Sequence, residues 1–142
     1  MSFEAKTFET AQLEENVDAI APDGSEIRVM GARPGGTFAH CTLPPGAISL
    51  AVRHRTVEEI WYVLSGDGEV WRSFEGAEEV THVTTGTALT IPLGTHFQFR
   101  SVGDEPLRFV LSTMPPWPGE DEAVRVDDHW PADAGNEDGA SN

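Results

Sequence analysis

Apolar and polar positions alternate in short runs along most of the chain, and each run is closed by a turn signal within a few residues. Period-2 alternation is the mark of a strand with one face turned to a core. The pattern predicts nine strands, at residues 26–30, 37–43, 47–55, 59–64, 69–74, 79–84, 88–91, 96–102 and 107–114. Asp23-Gly24, Pro44-Pro45-Gly46, Gly66-Asp67-Gly68, Gly76, Gly86, Pro92 with Gly94, Gly103 to Pro106 and Pro115-Pro116 punctuate them. In the third run Ile48, Leu50, Val52 and His54 share one face. Residues 11–20 are the sole helical candidate. Many short antiparallel strands in one domain make an all-β sandwich, jelly roll or barrel.

The length, 142 residues, suits one domain with one substantial core. No run of about 18 apolar residues occurs, so no membrane span is expected, and the N-terminus has no basic and apolar leader pattern. Cys41 is alone, which excludes an internal disulfide and fits the cytoplasm. The net charge is -15, with one lysine and eight arginines, so nucleic acid and anionic membranes are excluded as partners. From Pro116 onward there are eight acidic residues and one arginine, Arg125. The expected organisation is an N-terminal arm over 1–20, a barrel over 21–115, an extended Pro/Trp arm over 116–131 and a disordered acidic tail over 132–142.

The most informative stretch, residues 45–66, reads PGAISLAVRHRTVEEIWYVLSG. His54 ends one strand and Glu59 opens the next, five residues on. A hairpin with this spacing aims an imidazole and a carboxylate into the same space, where they can hold a metal or move a proton.

Gly46-(x)7-His54-(x)4-Glu59-(x)6-Gly66 resembles the first cupin motif, and Gly86-(x)5-Pro92-x-Gly94 resembles the start of the second. The stretch from Ser101 to Gly119 is similar to that of small single-domain bacterial cupins. The resemblance covers roughly residues 21–130 and implies a jelly-roll-like β-barrel and a homodimer. Cupins range from dioxygenases and isomerases to storage proteins, so the fold does not name the activity. The resemblance also implies a metal site built from His-x-His and Glu of the first motif and a His of the second. Here Val52 stands at the first position, His54 and Glu59 keep the next two, and Phe97 falls on the last. A divalent transition metal is thereby weakened. His96 is adjacent to the expected place, and a one-residue shift near Gly94 would unite His54, Glu59 and His96 as a metal-binding triad.

The residues expected to line the cavity are Cys41, Val52, Trp61, Phe97 and Phe99, with His54 and Glu59 as its polar, candidate catalytic pair. Trp61 is read equally as core or pocket wall. His40 and His82 are expected on the outside, and Arg53 and Arg55 point away from His54 toward carboxylates such as Glu58. Met114 to Gly119 is too proline-rich for a central strand and forms an arm, packed on the wall or placed as a flap over the mouth, with Trp117 as its anchor. These features describe a small-molecule-binding cupin with a degenerate metal site and acid-base chemistry in an apolar cavity. A metal-dependent dioxygenase or isomerase using His54, Glu59 and His96, and a non-enzymatic ligand sensor, are the alternatives.

Overall fold

The computed structural model describes residues 8–21 and 23–132. Among these residues, eleven strands form two antiparallel sheets. The six-stranded sheet contains β1 (Ala19–Ile20), β2 (Glu26–Arg33), β3 (Gly36–Leu43), β5 (Glu58–Ser65), β8 (Ala88–Ile91) and β10 (Leu107–Met114), in the order β1-β2-β3-β10-β5-β8. The five-stranded sheet contains β4 (Val52–His54), β6 (Gly68–Phe74), β7 (Ala77–Val83), β9 (His96–Ser101) and β11 (Ala123–Arg125), in the order β11-β4-β9-β6-β7. The all-β, jelly-roll-like expectation holds.

The pleat explains the core. In β10, Leu107, Phe109, Leu111 and Thr113 are buried, while Arg108, Val110, Ser112 and Met114 are only half-buried. In β5, Glu59, Trp61 and Val63 face in, between exposed Glu58, Ile60, Tyr62 and Leu64. Val52, Val70, Phe97 and Phe99 meet them from the other sheet. Trp61 stacks on Phe109 with centroids 4.1 Å apart, and Phe97 and Phe99 meet it edge-on. Such aromatic pairs add about 0.5–1.5 kcal/mol each beyond their buried area. Gly66 takes φ +90°, and a Cβ there would collide with the Pro106 carbonyl, so the β5–β6 turn requires glycine.

Two local expectations fail. Residues 11–20 form no helix. Their backbone and side chains serve β2 instead: the carbonyls of Glu14 and Glu15 accept from Arg28, and Asp18 Oδ2 accepts from Val29 N. Residues 47–55 are not one alternating strand. Only Val52–His54 runs in a ladder, Ile48 makes a single bridge to Arg100, and Ser49 and Ala51 are buried where Ile48 and Leu50 are half-buried. Here the chain crosses between layers, with Ser49 N bonded to the Phe99 carbonyl and Leu50 N to that of Asp23.

Beyond Gly119 the chain is not simply extended. A 3-10 turn at Glu120–Glu122 leads into β11, which pairs with β4. Residues 129 and 130 then cover the outer side of β9, where buried Gln98 bonds the backbone N–H of both His129 and Trp130 and the carbonyl of Trp130. Arg100 lies 4.3 Å over the Trp130 ring. Most of the expected acidic tail lies outside the described residues.

Candidate functional site

The two sheets leave a cavity of about 520 Å³ at one end of the core. Its walls are mainly apolar: Ile27 and Val29 from β2, Ala39 and Cys41 from β3, Val52 from β4, Phe97 from β9 and Leu111 from β10. Asp23, Ser25, Thr37, His54, Glu59, Thr113 and Glu120 supply its polar groups, and Trp117 joins the lining from the C-terminal segment.

His54 and Glu59 are brought together by the β4–β5 turn. His54 lies opposite Ala123 of β11, and Glu59 lies between Thr113 of β10 and Ile91 of β8. The turn is held by Glu122, whose carboxylate accepts from Thr56 N at 2.6 Å, Thr56 Oγ1 at 2.7 Å and Val57 N at 2.8 Å. Arg55 adds its Nε to the Asp121 carbonyl, rather than pairing with Glu58. Burial by itself would raise Glu122, but these three donors and nearby His54 hold it below the ordinary carboxylate range.

The pair itself is dry. His54 and Glu59 are each 6% exposed, with Nδ1 of His54 3.6 Å from Oε2 of Glu59. Glu59 Oε1 accepts from Trp61 Nε1 at 2.7 Å. Phe97 and Trp117 meet the imidazole edge-on at 5.2 and 5.0 Å. Burial lowers His54 to about 4, against a weaker pull from Glu122, and raises Glu59 to about 8, partly offset by the Trp61 hydrogen bond and increased by Asp23 and Glu122. Between these values the pair carries one proton, located on the carboxyl because burial disfavours both charges. Two buried polar atoms on the cavity wall, His54 Nδ1 and Thr113 Oγ1, have no hydrogen-bond partner among the described residues.

Of the other expected lining residues, Cys41, Val52 and Phe97 face the cavity. Trp61 and Phe99 do not line it; they are buried in the core that backs it, since ring packing around Phe109 occupies both. His96 does not join the pair. Phe97 takes the inward place, so alternation turns His96 to the opposite side, across from Ser73. His82 is exposed, near Asp67. His40 faces away from the barrel as expected but is buried, beside a groove lined by Leu13, Glu14, Glu15, Arg28 and Arg108. Burial and the two guanidinium groups lower its pKa.

Sequence reasoning missed Asp23 and Glu122. Asp23 is read there only as a turn residue. In the fold its Oδ1 accepts from both N and Oγ of Ser25, and it reaches the cavity, where burial raises its pKa despite those bonds. The Asp-x-Ser spacing of an Asx turn signals the local bonds but not the destination. Nothing local marks Glu122.

The donor set does not fit a resident divalent ion. Of the four positions that the resemblance implies, Val52 and Phe97 offer no donor, and they are register partners across β4 and β9. One Glu59 oxygen already serves Trp61. Among the described residues no three His, Cys, Asp or Glu are grouped to hold a metal, and two ligands hold one poorly.

Comparison with known proteins bears on the family. The chain is 30% identical over 112 residues to the uncharacterized protein MJ1618 of Methanocaldococcus jannaschii, spanning 74% of this chain and 85% of that protein. It is 36% identical over 88 residues to the xanthan biosynthesis protein XanB of Xanthomonas campestris, covering 61% of this chain but only 18% of XanB. Among solved structures, the capsular polysaccharide assembling protein CapF of Staphylococcus aureus superposes with a TM-score of 0.66 at 18% identity, over 80% of this chain and 34% of CapF. KdgF from Halomonas sp. superposes with a TM-score of 0.60 at 21% identity, over 75% and 92% of the two chains. These last two likenesses concern the fold alone. Residues 39–113 match the family model described as Cupin domain, and the chain belongs to that family.

Proposed function

We propose that the chain is a small-molecule-binding cupin whose His54–Glu59 pair transfers a proton to or from a ligand held in the apolar cavity. The observation that carries this reading is the pair of orphaned buried atoms, His54 Nδ1 and Thr113 Oγ1, on the wall of that cavity. Buried polar groups are almost always bonded, so two at one end of an apolar pocket mark where a ligand's polar group belongs. Its volume of about 520 Å³ is within the usual range for small-molecule sites. The protonated Glu59 supplies an acid and the neutral His54 a base within one site, the arrangement that proton transfer needs. XanB and CapF are named for polysaccharide work, but walls such as Val29, Val52 and Leu111 suit an apolar or aromatic body with one hydrogen-bonding group better than a bare sugar.

A fluorine-NMR fragment screen tests this. Fragments of that kind bind the wild type and lose binding in Ala39→Leu, which fills the cavity. Hits that bind both proteins equally would place binding elsewhere.

The homodimer belongs to the same proposal. The outer face of the six-stranded sheet exposes Phe38, Ile60 and Tyr62, and register places Val110 between His40 and Tyr62. A lone thiol, buried Cys41, fits placement in the cytoplasm.

A further inference from the structure

Among the described residues the acidic groups around the cavity have little basic company. Asp23, Glu59 and Glu120 line it, His54 is the one base among those lining residues, and none of them is a lysine or arginine. The chain as a whole carries -15. Among the described residues, each of the two inner carboxyl groups has one oxygen bonded by another residue and one that no other residue bonds. Ser25 engages Oδ1 of Asp23, and Trp61 engages Oε1 of Glu59. Oε2 of Glu59 is 3.6 Å from His54 Nδ1, beyond hydrogen-bond reach. Thr113 Oγ1, 3% exposed as a residue, adds an unpartnered oxygen on the strand next to Glu59. Phe97 and Trp117 provide aromatic walls beside His54.

From this arrangement, and resting on the reading of the cavity as a ligand site, we propose that the ligand is a small primary amine, bound as its ammonium, on an apolar or aromatic body. An ammonium has three donors and no acceptor, which matches a set of uncommitted oxygens. Its charge favours the ionised form of Glu59, which burial and the nearby Asp23 and Glu122 disfavour, so the amine displaces the Glu59 proton as it binds. Aromatic rings attract a cation at such a site. An anion meets the opposite: carboxyl groups, no lysine or arginine among the described lining residues and a strongly negative chain. A neutral alcohol satisfies at most one of the free oxygens with its single donor.

Three probes of equal body separate these cases: phenethylamine, 2-phenylethanol and 3-phenylpropanoate, titrated calorimetrically into the full chain at pH 7.5 and low salt. The amine is expected to bind at least about tenfold tighter than the alcohol, the scale of one charge-assisted hydrogen bond, and the carboxylate not measurably. Asp23→Asn and Glu59→Gln, which keep shape but cannot ionise when the ammonium binds, each weaken the amine by about tenfold and leave the alcohol within about twofold. The exposed Glu58→Gln leaves all three unchanged. An alcohol that binds as tightly as the amine overturns the inference and leaves the cavity reading standing. So does an amine affinity that is unaltered in both variants. If none of the three binds, the cavity reading falls with it.

Discussion

Replacing Glu59 with glutamine should change how stability depends on pH in a way that can be worked out in advance. In the fold Glu59 keeps its proton to about pH 8, whereas an unfolded glutamate releases it near 4.5. Between those values the native state binds more protons than the unfolded one, so this residue makes stability fall as pH rises. His54 acts in the opposite sense: its native value of about 4 lies below the ordinary 6.5, and its contribution rises with pH across that interval. The two slopes cancel from about pH 4.5 to 6.5. Above 6.5 only the Glu59 slope remains, at about 1.4 kcal/mol per unit. From pH 6.5 to about 8 the wild type should therefore lose about 2 kcal/mol through this pair. Glutamine mimics the protonated acid and can still accept from Trp61 Nε1, so Glu59→Gln should not show that loss. Urea unfolding followed by tryptophan fluorescence at several pH values measures both proteins. Groups elsewhere titrate alike in the two and drop out of the difference. The advantage of Glu59→Gln over wild type should grow by about 2 kcal/mol across this window. Parallel stability curves from pH 6.5 to 8 would mean that Glu59 is ionised in the fold at neutral pH, and the proton placement argued above would be wrong.

Glu122→Ala removes three charge-assisted hydrogen bonds from the β4–β5 turn and should cost about 2–4 kcal/mol in the same assay; a change below about 0.5 kcal/mol would show that the turn holds without it. Protein incubated with excess zinc or manganese and then desalted should retain less than about 0.2 metal per chain by mass spectrometry. The double change Val52→His with Phe97→His adds two inward donors on register partners and should raise retention toward one. Stoichiometric metal in the wild type would contradict the donor-set reading. Light scattering should give a dimer mass at micromolar concentration in moderate salt, and Tyr62→Glu on the exposed sheet face should shift it to monomer; an unshifted mass would move the interface elsewhere.

The sequence alone determined the parts of this protein that depend on neighbours along the chain. Alternation through Leu107–Met114, and turn glycines such as Gly66 with its forced positive φ, specify strands and where they stop. The close spacing of His54 and Glu59 across one turn made their meeting legible, and plain alternation placed Phe97 inward and His96 on the other side. What only the tertiary structure decided are contacts made at long separation, which leave no period to read. Glu122 acts on a turn 66 residues earlier in the chain. Asp23 enters the cavity because the crossing chain at Leu50 bonds its carbonyl. Residues 48–51 alternate like a strand, yet they cross between the sheets, where interlayer bonds replace a ladder. His40 faces outward by pleat and is still buried, because a preceding segment packs beside it. The proton on Glu59 belongs to this second class too: a carboxylic acid keeps its proton near neutral pH only when the fold has removed water from around it.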